Sequence, residues 1–433
     1  MRIAIVGSGV AGLGCAHLLG PHHDVVLYEA DDRLGGHANT VDVEDPVAGR
    51  IGIDTGFIVH NDRNYPHLVR LFDELGVEVS DTEMSFGVLD ADPGSSRRGL
   101  AYRATNLDTL FADRANLRRS TIWRMLIDIA RFYRHANRFL ATGRPPGAST
   151  PLADPEALTT AEFLERGGYG SEFVDLHLIP MGAAVWSAEP STFDAFPAAS
   201  LFRFLSNHGL LGIGRRPQWR TIVGGSRAYV DAIAARFEGD IRRSSPVERI
   251  GRRDEEVAVL SAGPDGGDEA IYDTVILACH APQALALLAD ATPLETELLG
   301  AFRTQPNRAT LHTDTSILPP NPKTWAAWNY ARRSPAQSAA TLTYDLTLLQ
   351  DLPGSERYLV SLNSEDSIDP SSILASIDYA HPVFDTASVT AQARLGEINR
   401  DDTWFCGAWT AYGFHEDGFA SAVGVCRALG VAW

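Results

Sequence analysis

Gly7, Gly9 and Gly12 stand at the spacing Gly-x-Gly-x-x-Gly, and Glu29 follows 20 residues after Gly9. That pattern suits one kind of chemistry. Gly7 permits a tight turn, Gly9 lets the backbone approach a pyrophosphate, and Gly12 lets a helix pack close to a strand. The first N–H groups of such a helix, that of Ala11 among them, and its positive dipole end face the phosphates. Glu29, followed by Ala30, lies where a carboxylate accepts hydrogen bonds from a ribose. A second group of reactive side chains closes the sequence, in Gly413-Phe414-His415-Glu416-Asp417-Gly418. Asp417 suits a helix N-cap. His415 and Glu416 have no capping reason to be there, and they are the candidate catalytic residues.

The elements that must position these residues are legible around them. Residues 2–6 form a β-branched apolar run of buried-strand type, 13–19 are helical, and 25–28 are a second apolar strand ending at Glu29. A lone glycine pattern is mimicked by any strand-to-helix turn, but here the strand, turn, helix, strand and acid are all present. This is a dinucleotide site. Six residues past Glu29 comes Gly35-Gly36, in Glu29-Ala30-Asp31-Asp32-Arg33-Leu34-Gly35-Gly36-His37. A nicotinamide dehydrogenase has no need of that extension, whereas a flavoprotein of the glutathione-reductase type gains a second close approach to the cofactor.

This string resembles the flavin-containing amine oxidase superfamily, whose members carry E-x3-R-x-G-G-R, with His37 standing where the pattern has its last Arg. The resemblance implies an α/β fold: a Rossmann-like FAD-binding domain with an interleaved α+β substrate domain, amine-oxidase-like. It implies FAD held by Arg33, Gly35, Gly36 and His37, with Gly56 and Phe57 bringing backbone against the flavin ring. Val247 would hold the adenine through its backbone. Gly407, Asp417, Gly418 and Phe419 would cradle the ribityl chain and aim a helix N-terminus at the flavin C2=O, where its dipole stabilises negative charge. The cofactor domain is expected over residues 1–80, 222–291 and 386–433, and the substrate domain over 81–221 and 292–385. The segment just before Trp404 lacks a cysteine for covalent attachment, so the FAD is expected to be noncovalent.

A closer resemblance rests on Gly35-Gly36-His37-Ala38-Asn39-Thr40, Asn64-Tyr65-Pro66, Met84-Ser85-Phe86, Ala184-Val185-Trp186-Ser187, Arg216-Pro217-Gln218-Trp219, Leu311-His312-Thr313-Asp314, Ala327-Trp328-Asn329 and the string 413–418. These look like the flavoprotein domain that precedes the methyltransferase in plant cyclopropane-fatty-acid synthases, and like stand-alone bacterial flavoproteins encoded beside such synthases. The resemblance implies an association with fatty-acyl lipids and a lipid methyltransferase partner.

Composition bounds the remainder. The chain has 433 residues, 45% of them hydrophobic, and a formal charge of −18, which argues against nucleic-acid binding. Met1 leads directly into the first strand and no run reaches the ~20 apolar residues of a membrane span, so a cytoplasmic location is expected. Cys15, Cys279, Cys406 and Cys426 show no metal-ligand spacing; buried thiols and no metal are expected. Residues 97–144 depart from the overall charge, with 11 arginines against Asp108, Asp113 and Asp128. Residues 121–140 are predicted helical, with Ile122, Leu126, Ile129, Tyr133 and Leu140 on an apolar face and Arg124, Arg131 and Arg138 on another. Such a helix is either a solvated face paired with acids or a peripheral membrane contact.

Shorter helices are predicted over 65–75, closed by Gly76, over 161–166, capped by Thr160, over 227–237 and over 419–429. Residues 272–278 read as a central strand, and 263–267 as a turn. Trp186, His208, Trp219 and Trp328 are the candidate substrate-pocket residues, set among Phe193, Phe196, Phe202 and Phe204. Aromatics at that density form either core or an apolar channel.

The leading expectation is an FAD-dependent oxidoreductase in which a C–H bond of an apolar, fatty-acyl substrate gives up hydride near flavin N5, as desaturase, oxidase or isomerase. No second Gly-x-Gly-x-x-Gly follows, so electrons are expected to pass to oxygen or an external acceptor. The alternatives are a flavin amine oxidase and an accessory flavoprotein that supports a lipid methyltransferase. Amine oxidation is less favoured because the single lysine, Lys323, sits in the Pro-rich 319–323 loop rather than near a cofactor.

Overall fold

The computed structural model describes residues 1–186, 192–212, 217–253, 256–262, 267–332, 341–400 and 402–433. Ser187, Arg216 and the tip of the 263–267 turn lie outside them. The centre is a five-stranded parallel sheet in the order Asp240–Arg242, Asp24–Tyr28, Arg2–Val6, Thr274–Leu277, Thr403–Phe405. Its inner strands are apolar beyond their first residues because helices cover one face and an antiparallel ribbon the other, whereas the edge strand Asp240–Arg242 is mostly charged. The ribbon comprises Val247–Arg253, Glu256–Ser261 and Asp268–Tyr272. The predicted central strand is therefore two strands that meet at Asp273.

Gly9 opens the helix Val10–Leu19, which packs on the C-terminal helix His415–Ala428. The approach is close: a Cβ on Gly14 would lie 2.9 Å from the Phe419 ring, and one on Gly418 would lie 2.6 Å from Val10 Cγ1. Pro66–Leu75 is helical and ends on Gly76 in the left-handed region at φ 71°, as its sequence predicts. The helix expected over 227–237 spans Arg227–Arg236.

A second layer is a seven-stranded mixed sheet running from Ile373–Val383 at one edge to Ala101–Arg103 at the other. Helices between residues 107 and 207 pack against it around Phe132, Phe163, Phe173 and Phe202. Chain threads back and forth between the two layers: Phe86–Asp90 of the first crossing lies parallel to Trp328–Arg332 of a later one.

Three local predictions shift. The long helix runs Ser120–Thr142 and buries Ile122, Met125, Phe132, Ala136 and Phe139; Leu126, Ile129, Tyr133 and Leu140 only flank that seam. The apolar centre sits on the phenylalanines because they reach furthest into the aromatic core. Thr159, not Thr160, caps the helix Thr160–Gly167, in a capping box with Glu162. The C-terminal helix begins at His415, four residues earlier than its apolar period suggests, so His415, Glu416 and Asp417 form its first turn.

Candidate active site

The first strand ends at Val6 and the chain turns sharply at Gly7, whose φ is 99°. A Cβ on Gly12 would fall 1.8 Å from Gly7 O, so only glycine lets the helix start directly beneath the turn. A Cβ on Gly9 would meet no protein atom within 4 Å. That open space, over a helix N-terminus with free N–H groups, is a cradle for a diphosphate. Glu29 braces the turn: its Oε2 accepts from Ser8 N–H at 2.9 Å and from Ser8 Oγ, and its Oε1 accepts from Asp31 N–H at 2.9 Å. Carboxylate oxygens keep acceptor capacity beyond these bonds, enough for ribose hydroxyls.

The diglycine loop folds back onto this turn. Gly35 N–H donates to Ser8 O at 3.0 Å, Arg33 Nη1 donates to Gly36 O at 2.8 Å, and a Cβ on Gly36 would lie 3.2 Å from Gly9 Cα. His37 is half-buried, with its Nε2 buried and unpartnered among the described residues and its ring stacked on Tyr379 at 4.7 Å. Burial, reinforced by His381 and His280, holds this ring well below the usual histidine range, so it is neutral. Gly56 sits against His37, where a Cβ would fall 2.2 Å from His37 O, and Phe57 N–H donates to that same oxygen at 2.8 Å. An open cradle, a helix N-terminus and a buried orphan ring nitrogen together fit an FAD.

One continuous cavity of about 750 Å³ begins at this cradle. Gly7, Gly9, Ala11, Glu29, Arg33, Gly36, His37, Gly56 and Phe57 line one end, with Gly407 and His415 beside them. Trp186, His208, Trp219 and Trp328 line the other, so the structure brings the cofactor and pocket residues into one space. The Trp186 ring lies 4.5 Å from Phe204, which stacks on His208 at 3.9 Å and on Phe414 at 4.9 Å. Phe193, Phe196 and Phe202 are core, so the aromatic stretch is partly core and partly channel. His208 Nδ1 donates to Phe204 O at 2.9 Å, and burial pushes the ring down to about 4, leaving it neutral. The charged wall residues are Glu29, Asp31 and Arg33 near the glycine turn and Asp378, next to Tyr379. Among the described residues, the aromatic end carries no charge.

Several expected contact residues stand behind the wall instead. Gly12, Ala30, Gly35, Gly418 and Phe419 shape or support the cradle without lining it, and Val247, two residues past Ser245 whose N–H donates to Glu29 O at 2.9 Å, opens a ribbon strand without lining it either. Asp417 is not an N-cap but sits three residues on, its Oδ2 accepting from Phe414 N–H at 2.9 Å. His415 does line the cavity, stacked on Phe57 at 3.9 Å with Nε2 2.8 Å from Tyr229 Oη, and burial pushes it down to about 3.

Glu416 departs most from expectation. It does not line the cavity; it caps another helix. Its Oε1 accepts from His67 N–H at 3.1 Å and meets His67 Nδ1 at 2.6 Å, while Oε2 accepts from Leu68 N–H at 3.1 Å. The helix Pro66–Leu75 has no capping side chain of its own, since Tyr65 is its N-cap. Glu416→Ala is therefore expected to lower stability by about 2 kcal/mol while leaving the rate of flavin reduction unchanged, which paired thermal melts and stopped-flow traces would show.

Asp417 gives a pH signature. Burial, with Glu416 nearby, pushes it up to about 7 despite the Phe414 N–H. A carboxyl held above its unfolded value contributes stability that is complete in acid and is lost as pH rises through 7. Asp417→Asn, which stays neutral, should flatten the fall in melting temperature between pH 4 and pH 7, an effect of up to ~4 kcal/mol. An equally steep fall in the variant would assign the dependence elsewhere.

Residues without a sequence expectation complete the wall: Ser8, Cys279, His280, Tyr379 and His381 near the cradle, and Met84, Phe86, Tyr133, Met181 and Tyr344 in the chamber. Two were signalled. His280 follows the central strand at its carboxyl end, where ligands of parallel sheets bind. Tyr379 and His381 are two apart on one strand and so share a face.

Comparison with known proteins agrees with this geometry. The family model of the flavin containing amine oxidoreductases matches residues 10–330. A 15-cis-phytoene desaturase of Synechococcus elongatus is 38% identical over 79 residues, 18% of this chain and 16% of its own length. An L-amino-acid oxidase of Demansia vestigiata is 50% identical over 40 residues, 9% of this chain and 8% of its own. The matched stretches thus span less than a fifth of either relative. Among solved structures, a CLA-producing fatty acid isomerase from P. acnes is 17% identical, covers 98% of both chains and has a TM-score of 0.67. Putrescine oxidase bound to putrescine (15%, 99% of both chains, 0.67) and cyclohexylamine oxidase from Brevibacterium oxydans (17%, 99% of both chains, 0.65) share the fold as closely. With its Rossmann-like cradle, interleaved second layer and matching family model, this chain belongs to the flavin containing amine oxidoreductases, FAD-dependent enzymes, and binds its FAD noncovalently.

Proposed function

We propose that this chain oxidises an apolar small molecule held uncharged in the aromatic chamber. The carrying observation is the continuity of the cavity, from the Gly7–Gly12 cradle to a wall of Trp186, Phe204, Trp219, Trp328 and Phe414. Bound FAD supplies the capacity to accept a hydride. The chain's part is to orient the substrate, exclude water and withhold charge. With neutral His208 and His415 on the wall and no carboxylate at the aromatic end among the described residues, an ammonium group would lose its hydration and gain only the faces of the aromatic rings as partners. The division into residues 1–80, 222–291 and 386–433 for cofactor and 81–221 and 292–385 for substrate is part of this reading: the glycine cradle draws on the first set and Trp186, Trp219 and Trp328 on the second, while Phe414 and Tyr379 cross between the ends.

A hydrophobic amine, bound unprotonated, is the substrate class the comparisons support more strongly, through putrescine oxidase, cyclohexylamine oxidase and L-amino-acid oxidase. Lys323 takes no part in that chemistry: it is exposed and pairs with Asp108 at 3.4 Å. A fatty-acyl chain is the second reading, favoured by the uncharged chamber and by the fold shared with the fatty acid isomerase. Anaerobic titration of the FAD-loaded protein separates them. Bleaching of the flavin by hydrophobic amines and not by phospholipids supports the first, and the reverse supports the second. A flavin that neither class reduces would overturn both and bring forward redox-neutral chemistry or an accessory role beside a lipid methyltransferase.

A further inference from the structure

We propose that the face built from residues 107–138 docks onto an anionic phospholipid bilayer. Of the nine large hydrophobic side chains exposed among the described residues, four fall within this short stretch: Leu107 (73%), Leu117 (45%), Trp123 (48%) and Ile127 (61%). They adjoin one another. Trp123 Nε1 donates to Leu117 O at 3.0 Å, and its ring lies 5.7 Å from Phe111, whose N–H donates to Leu107 O. Ile127 is one helical turn beyond Trp123, and Arg134 and Arg138 continue the same stripe of the helix Ser120–Thr142. A contiguous apolar patch rimmed by polar groups marks an interaction surface.

Charge selects the occupant. Pairing with acids accounts for Arg97, Arg103, Arg114, Arg124 and Arg131. Exposed Arg118, Arg134 and Arg138 form no ion pair among the described residues, in a chain whose net charge is −18. Unpaired arginines beside exposed apolar side chains match a bilayer, which offers both phosphates for the arginines and an apolar layer for the tryptophan and aliphatic side chains. Among the described residues no helix is long and apolar enough to cross a membrane, so the contact is peripheral. The long helix also carries Tyr133 on the chamber wall, so the docking face and the chamber share one element. The inference does not depend on which substrate class is oxidised.

Sedimentation of the FAD-loaded protein with vesicles tests it. Vesicles of phosphatidylglycerol in phosphatidylcholine should bind at least tenfold more protein than phosphatidylcholine alone, and high salt should abolish the difference. Arg134→Ser with Arg138→Ser should weaken binding about fivefold per arginine. Ile127→Ser should weaken it several-fold without changing its salt dependence, the FAD spectrum or the melting temperature. Equal binding to both vesicles, or binding unchanged in these variants, overturns the proposal. A concentration-dependent dimer that Ile127→Ser dissolves, with no vesicle binding, overturns it in favour of a second copy.

Discussion

Gly12→Val should abolish FAD binding and leave an unstable apoprotein, whereas Gly9→Ala should fold normally and bind FAD weakly. The contrast follows from what each new Cβ meets. At Gly12 it falls 1.8 Å from Gly7 O and 3.0 Å from Gly7 C, backbone atoms that cannot yield without moving the first strand away from the helix. Valine adds two methyl groups to that collision, and overpacking of this kind costs about 3 kcal/mol or more. At Gly9 the Cβ meets nothing of the protein, so the only thing it displaces is the cofactor. Flavin absorbance of the purified variants, with thermal melts of the apoproteins, reads both effects. A Gly9→Ala variant that keeps full FAD affinity would show that the diphosphate does not lie over this turn.

Asp54→Ala is expected to be the most destabilising single change outside the glycine turn, by about 3–5 kcal/mol. Asp54 is fully buried, and its carboxylate gathers donors from three distant segments. Oδ1 accepts from Thr40 Oγ1 at 2.6 Å, Ser226 Oγ at 2.7 Å and Ser226 N–H at 2.8 Å, and Oδ2 accepts from Gln350 Nε2 at 3.3 Å. Alanine strands these donors without water. It also loosens the strand end that delivers Gly56 and Phe57 to the cavity, so FAD release should quicken as well. Denaturant unfolding of the apoprotein measures the first effect. A loss below ~1 kcal/mol would mean that water replaces the carboxylate and that the junction is not dry.

What the sequence made legible was local. The turn at Gly7, Gly9 and Gly12, the position of Glu29 (though not its bracing of the turn through Ser8) and the diglycine beyond it lie within or just past one strand–helix–strand unit, where spacing sets geometry. The helix 66–75 was readable for the same reason, down to Gly76. Glu416 was not, because its partners His67 and Leu68 are more than 340 residues away and the capped helix shows no lack of a cap in its own sequence. Nor was the wall formed by His37, His280, Tyr379 and His381, which three separate crossings bring together. The early start of the C-terminal helix was hidden because Phe414 offers no capping oxygen, while Asp417 reaches back from inside the helix. On the long helix the residue types were right and the face was rotated, because core depth rather than period chose the phenylalanines.

The order of strands in the central sheet has a consequence for how the protein is made. Arg2–Val6 emerges first from the ribosome, its neighbour Thr274–Leu277 far later, and the edge strand Thr403–Phe405 and the helix that packs on the glycine turn last of all. At typical rates of synthesis the first strand waits roughly 20–80 seconds for the last part of its surroundings. During that interval the nascent chain carries an apolar strand and a glycine turn with no helix over them, a form that holdase chaperones recognise. FAD loading therefore waits until the helix His415–Ala428 has been made, and a product truncated before that helix is expected to be colourless and aggregation-prone rather than a weak enzyme.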